Sequence, residues 1–368
     1  MNLHKTLTPL WLCLILLLAS CSKELTRSEY THVIPADATE IASLALSDLA
    51  QKAGLDRPEQ AGLRAQVLAL LTDQSSASLT AQIEKLMEQP GESGLDFKSP
   101  AYVFHAPKLH TVAATLKVSD LKKWEALVEM LVKEKFLTSP TNRKGYRTTD
   151  IASGNLRLAY NDGTLLVLWG DSRAELDKRQ AALDGLMNQT AEKSAVGQKN
   201  FTQMKGEKGD IRLLMTPDTL PFNLRGILSW PQGTQLVGFL QFENGRLYAQ
   251  VRQADFTGET HESNQPFHPQ SYAELQAAMS AMMRGASYNV ELTTEELLTL
   301  TNLRALMQFS PDEPEIQSLY NLVRQIESIN LRGDSRCTRF TLKLTNKNVN
   351  ALQQALELGQ KIMGLNIR

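Results

Sequence analysis

Polarity changes character several times along the chain, and each change marks an expected element. The first stretch, MNLHKTLTPLWLCLILLLASCSKE, begins polar and runs almost unbroken apolar over residues 10–18. It turns polar again at Ser22, Lys23 and Glu24. Residues 40–46 alternate in their second half and predict a strand, after which Ser47 and Asp48 are expected to cap a helix. Helices are expected over residues 57–71 and 79–88, ahead of the breakers Pro90 and Gly91. Residues 94–100 read as a loop and 102–105 as a strand. Residues 111–118 alternate, Ser119 or Asp120 caps, and Leu121, Trp124, Val128, Leu131 and Val132 follow at helical spacing. Asn161-Asp162-Gly163 separates apolar runs at 156–160 and 165–169, a sequence expected to supply the positive φ angles of a tight hairpin. A helix over 173–187 closes this half, and the polar stretch 189–209 is the candidate boundary.

The second half repeats the vocabulary. A strand is expected at 211–215, and a hairpin at 234–242 and 246–252 about Glu243-Asn244-Gly245. After a polar loop at 256–270 come helices over 272–283, 293–307 and 314–328. A last hairpin turns at Gly333-Asp334, and a closing helix runs through Met363. Thr341-Leu342-Lys343-Leu344-Thr345-Asn346 nearly repeats Thr115-Leu116-Lys117-Val118-Ser119-Asp120, and Val290 to Glu295 parallels Leu44 to Leu49. Similar order and similar motifs predict an α+β fold of two related halves, each an antiparallel sheet with helices packed on one face. The expected division is signal peptide 1–20, lipidated tether 21–34, first half 35–195 and second half 196–368.

The amino-terminal pattern is the most specific. The apolar core is about ten residues long, half of the roughly 20 that a spanning helix needs, and it follows a weakly basic start. Leu18-Ala19-Ser20-Cys21 fits a lipobox, whose small residues admit a signal peptidase to the bond before the cysteine. Cys21 is the expected lipidation site, with the membrane as partner through that lipid. Several acyl chains on one residue hold far more firmly than one. A fully extended tether to Tyr30 reaches about 30 Å, which keeps the folded part close to the bilayer.

Composition narrows the rest. Removing the signal peptide leaves about 350 residues, enough for two ordinary domains. Hydrophobic content of 42% and charged content of 21% suit a globular chain with a real core. A formal net charge of −1 gives no electrostatic case for nucleic acid as a partner. Of three cysteines, Cys13 lies in the removed peptide and Cys21 is modified, so Cys337 stands alone and is read as a small core residue.

Local catalytic signatures are missing. No two of His32, His105, His110, His261 and His268 lie one helical turn apart, though His105 with His110, or His261 with His268, share a loop region. Neither G-x-S-x-G nor H-E-x-x-H occurs, and no glycine loop suits a phosphate. No catalytic, cofactor-binding or metal-binding residue is therefore assigned. Phe222, Leu224, Ile227, Leu228 and Trp230 form either a contact patch or a plug for the sheet, and Met279, Met282 and Met283 line either a groove or a core.

Three stretches carry a resemblance: Glu29 through Ala38 (EYTHVIPADA), Glu92-Ser93-Gly94-Leu95-Asp96 with Lys98-Ser99-Pro100, and Ala159-Tyr160-Asn161-Asp162. Together with the lipobox they resemble a family of uncharacterised lipoproteins from Gram-negative gut and oral bacteria, defined by a domain of unknown function. The resemblance implies an address and a fold, not an activity. Ser22 after the lipidated cysteine favours the outer membrane, with the periplasmic or surface face left open. The expected role is a non-enzymatic binding or structural one for a protein, glycan or lipid ligand. The alternative is a hydrolase of envelope or dietary polymers assembled from distant residues.

Overall fold

A computed structural model describes residues 28–55, 77–219, 230–231, 233–256 and 265–365. The expected signal peptide, Cys21, the helix expected at 57–71, His261 and most of the Phe222 patch lie outside the described residues. The chain divides into two compact units, Met1–Gly206 and Glu207–Arg368.

The first unit opens on a 3-10 turn, Ser28–Val33. It continues through β1 (Ile41–Leu44), α1 (Leu46–Lys52), α2 (Ala77–Glu88), β2 (Leu95–Asp96), β3 (Ala101–Ala106) and β4 (Thr111–Val118). Then come α3 (Leu121–Lys133), β5 (Thr141–Arg143), β6 (Tyr146–Asp150), β7 (Leu156–Tyr160) and β8 (Thr164–Trp169). Helices α4 (Arg173–Lys178), α5 (Gln180–Met187) and α6 (Lys199–Gly206) finish it. The strands run β1-β3-β4-β8-β7-β6-β5, each antiparallel to its neighbour, with β2 added at the end of β4.

Local chemistry explains the helix on one face of this sheet. The Asp120 carboxylate accepts from the Lys123 amide at 3.1 Å and so caps α3. Trp124 and Val128, one turn apart, then face the sheet, and Trp124 meets Tyr160 edge-on at 5.9 Å. Leu116, Val118, Leu156, Leu165 and Val167 complete this core. The opposite face is closed by the amino-terminal turn and by α4 to α6. Thr115, Phe104, Leu166, Ile34, Leu176, Leu183 and Phe201 are all buried, and the Thr115 hydroxyl donates to the Tyr30 carbonyl at 3.1 Å. The alternation in β4 therefore marks a buried threonine, not a wet face.

The second unit contains β9 (Ile211–Met215), β10 (Leu236–Glu243), β11 (Arg246–Gln253), α7 (Tyr272–Met283), β12 (Tyr288–Thr293) and α8 (Thr294–Leu300). It ends with α9 (Leu303–Phe309), α10 (Pro314–Val323), β13 (Ile326–Gly333), β14 (Cys337–Leu344) and α11 (Ala351–Leu365). Its strands run β12-β13-β14-β11-β10-β9, again antiparallel throughout. The α+β class expected from the sequence holds for both units.

Several local expectations change. Helix α1 begins at Leu46 after Ala45 with no side-chain cap, so Ser47 and Asp48 lie within it. The helix expected at 173–187 breaks at Arg179, and that at 293–307 breaks where Asn302 turns left-handed at φ 56°. The closing helix starts at Ala351, with the Leu352 amide bonded to Asn350 Oδ1 at 3.0 Å. Asn161-Asp162-Gly163 turns without positive φ angles. Instead the Asn161 side-chain oxygen accepts from the amides of Gly163 (3.1 Å) and Thr164 (2.9 Å), an Asx turn.

Candidate functional site

The first described residues pack into the first unit. Tyr30, Thr31, Val33 and Ile34 are buried in the first unit. The Tyr30 ring packs on Tyr102 at 6.0 Å, Tyr102 packs on Phe201 at 5.7 Å, and the Tyr30 hydroxyl donates to the Pro100 carbonyl at 2.9 Å. Burial pushes the Tyr30 phenol far above its ordinary range. Of the stretch read as tether, residues 28–34 thus belong to the first unit, and 21–27 lie outside the described residues.

The motif residues turn out to hold this scaffold. Gly94, at φ 77°, accepts from the Ser119 and Asp120 amides at 2.9 and 3.1 Å. A Cβ there would meet Asp120 O at 2.4 Å, so the position admits only glycine. Asp96 accepts from the Ser99 hydroxyl at 2.8 Å and pairs with Lys117 at 2.9 Å. Burial works against the Asp96 carboxylate, but these bonds hold it below its usual range.

Among the described residues, the largest buried polar side chain is that of Arg157. Its guanidinium binds Asp150 through Nε (2.8 Å) and Nη2 (3.1 Å), Asp177 at 2.7 Å, the Leu176 carbonyl at 3.1 Å and Gln180 at 3.0 Å. Arg173 adds a bond to Asp150 at 3.1 Å. Beside it, Tyr146 donates to Asp184, and Gln180 donates to both. Every donor is satisfied inside the protein, so this network ties β6 and β7 to α4 and α5 and offers no reacting group.

Among the described residues, the histidines do not assemble a centre. His32 lies in the amino-terminal turn, His105 on β3 and His110 in the β3–β4 loop at φ 49°. His268 stands 3.2 Å from Glu296 and 4.0 Å from Glu291. Glu296 is already engaged as the capping-box residue of α8, accepting from the Thr293 amide at 2.7 Å and hydroxyl at 2.9 Å. Among the described residues, no three His, Cys, Asp or Glu side chains converge as metal ligands. Cys337 is 1% exposed, and burial pushes its thiol up to about 11. Trp230 is buried, as is Met282, whereas Met283 is exposed, so the three methionines do not share one environment.

Sequence reasoning did not single out the sheet of the second unit, yet its two faces are the most distinctive surfaces described. On one face, Leu236, Phe242, Leu344, Tyr288 and Val290 at the margins are buried. In the centre, Leu247, Val251, Phe340, Leu342, Ile329 and Leu331 stay half-buried. The central strands of the first unit, by contrast, bury residues 113–116 and 164–168 outright. Large apolar side chains are also exposed on the second unit's helices, at Tyr272, Met283, Leu306, Phe309 (85%) and Leu319.

The other face is polar and arranged in rows across the strands. One row reads Arg212, Phe239, Gln250, Arg339, Arg332, Asn289. The next holds Gln241, Tyr248, Thr341, Asn330 and Glu291, and the third Glu243, Arg246, Lys343, Ser328 and Thr293. Gln250 accepts from Tyr248 at 3.2 Å and from Arg339 at 3.1 Å, and Arg246 lies over the Tyr248 ring at 5.6 Å. Alternation at period two generates both faces from one set of strands.

The chain is similar to three solved structures of TP0453. Crystal form I has a TM-score of 0.36 at 9% identity, covering 72% of this chain and 88% of that one. Form III gives 0.37 at 10% identity, covering 91% and 99%, and form IV gives 0.33 at 10%, covering 61% and 81%. No curated protein matches. A family model described as a domain of unknown function (DUF4836) matches residues 30–264, from the amino-terminal turn past β11. That stretch is more than half of the chain, and the protein belongs to the DUF4836 family.

Proposed function

We propose that the protein is a lipoprotein anchored through Cys21 to the outer membrane, where its second unit binds an acyl-chain-like ligand without catalysing a reaction. The anchor reading rests on the lipobox and the short polar run behind it. The binding reading rests on one observation: the centre of the second unit's apolar sheet face is half-open. Globular sheets close such rows, because each fully covered aliphatic side chain contributes about 1.5–3 kcal/mol. Leaving Leu247, Val251, Ile329, Leu331, Phe340 and Leu342 partly wet forgoes that stabilisation, and a flexible apolar ligand restores it on binding. The lining is aliphatic with one phenylalanine, which suits a chain of methylenes better than a planar or charged molecule. Hydrolysis needs a nucleophile with a base, paired carboxylates or a metal, and the polar networks described above are consumed in scaffolding.

The test is titration of the purified mature protein with a fluorescent fatty acid. Saturable binding, displaced by unlabelled fatty acid and weakened at least tenfold by Leu342→Glu with the thermal transition retained, is the expected result. Absence of saturable binding to the folded protein would refute the reading.

A further inference from the structure

We propose that the helical pair α9 and α10 of the second unit is a docking surface for an amphipathic helix of another protein, one with apolar residues on one face and lysine or arginine beside them. The surface lies on helices and not on the sheet, so the inference goes beyond the reading above and does not depend on it.

The two helices pack against one another and carry apolar side chains on two sides. On the inner side, Leu303 of α9 and Val323 of α10 are buried together with Leu298, and Tyr320 packs against them. On the outer side, Leu306 and Phe309 stand one turn apart on α9 and are both exposed, Phe309 at 85%. Leu319 is likewise exposed on α10. The inner residues suffice to seat the pair, so the outer ones add nothing to its own packing. An aromatic ring left this wet, with two leucines on the same helical pair, forgoes stabilisation that a covering partner returns. Helix laid on helix is an ordinary way to cover such residues.

Charge selects the partner. Asp312 and Glu313 follow Phe309 in the connecting turn, and Glu315 stands one turn before Leu319 on the same side of α10. All three are exposed, and none forms an ion pair among the described residues. The arginines of this stretch are engaged elsewhere: Arg304 pairs with Glu295, and Arg324 lies over the Tyr320 ring at 5.9 Å. The amino-terminal end of α10 favours an acidic neighbour, but a helix end carries only about half a unit charge and does not balance three carboxylates. Apolar residues beside uncompensated carboxylates are complementary to a helix whose apolar face is bordered by lysine or arginine. An anionic bilayer surface would instead be repelled by these carboxylates, and a neutral one would have to strip them of water.

The experiment uses the full mature protein and a fluorescent synthetic peptide of leucine and lysine at helical spacing, with affinity read by anisotropy at low and moderate salt. Parallel arms contain a scrambled peptide of the same composition, a leucine–glutamate peptide at the same spacing, and vesicles of phosphatidylcholine with and without phosphatidylglycerol. The proposal expects saturable binding to the amphipathic leucine–lysine peptide that weakens with salt, and at least tenfold weaker binding in every other arm. Leu306→Ser with Phe309→Ser is expected to lower that affinity at least tenfold, while the thermal transition is retained. Asp312→Asn with Glu313→Gln and Glu315→Gln should lower it at least tenfold at low salt and remove most of the salt dependence. Should the double variant fail to fold, Phe309→Ser is expected to reduce affinity severalfold on its own. No binding, equal binding to the scrambled or glutamate peptide, preference for vesicles, or unchanged affinity in the folded variants would overturn it. So would self-association that Phe309→Ser abolishes, since the occupant would then be a second copy of this chain.

Discussion

Arg157 and Asp150 make the sharpest residue-scale case. Both side chains are more than nine-tenths buried, and a buried ion pair is costly to break because the surviving charge is stranded. Burial alone would raise the Asp150 carboxyl, but hydrogen bonds and charge from Arg157 and then Arg173 hold it below the usual carboxylate range. A depressed folded value means that the stabilisation is present above the unfolded carboxyl's value and is lost as pH falls through the folded one. Acid unfolding should therefore steepen below about pH 4. Asp150→Asn is expected to cost roughly 3–5 kcal/mol at neutral pH and to flatten that acid limb. Denaturant titration at pH 7 and pH 3 measures both, and a variant as stable as the parent at pH 7 would contradict the assignment. Cys337 offers a second check. With its thiol pushed up to about 11 and its side chain buried, it should resist alkylation at pH 8 until the protein unfolds. Rapid labelling of the native protein would rule out this packing.

At the scale of elements, turns separate what the sequence announces from what it conceals. Gly245 occupies φ 62°, and a Cβ there would sit 2.9 Å from the Asn346 carbonyl. Gly163 lies outside the left-handed region and has open space around its Cβ position. Gly245→Ala should therefore cost about 1–3 kcal/mol, whereas Gly163→Ala should fall within about 0.5 kcal/mol of the parent. Equal effects in thermal unfolding would show the two turns to be alike. Both hairpins were legible, because apolar runs flanking Asn and Gly dictate a reversal; the turn mechanism was not, because the Asn161 side chain replaces backbone freedom. The amphipathic helix α3 was legible from its spacing and its cap. The breaks at Arg179 and Asn302 carry no proline or glycine and left no mark in the polarity pattern. The arginine rows were hidden for another reason: strand partners far apart in sequence, such as Arg339 and Gln250, become neighbours only through register.

At the scale of the molecule, the two units share a plan in different chain order. In the first, strand, helices, hairpin and helix give β1-β3-β4 followed by α3; in the second, the same sequence of elements gives β12-β13-β14 followed by α11. The extra strands join beside the hairpin's last strand in both, β8 at β4 and β11 at β14. They come after the shared module in the first unit and before it in the second, which is a circular rearrangement of one plan. The near-repeat of residues 115–120 at 341–346 falls at the equivalent strand end, so the internal similarity read from sequence coincides with equivalent topology. The resemblance motifs proved to be scaffold: the Tyr30 hydroxyl reaches Pro100, and Gly94 receives the start of α3.

The proposed address is tested most directly by intact-mass analysis of the protein extracted from its native membranes. A mature chain beginning at Cys21 and carrying the added mass of diacylglycerol with an amide-linked acyl group is the expected result. A chain that retains residues 1–20, or one that begins at an unmodified Cys21, would contradict it.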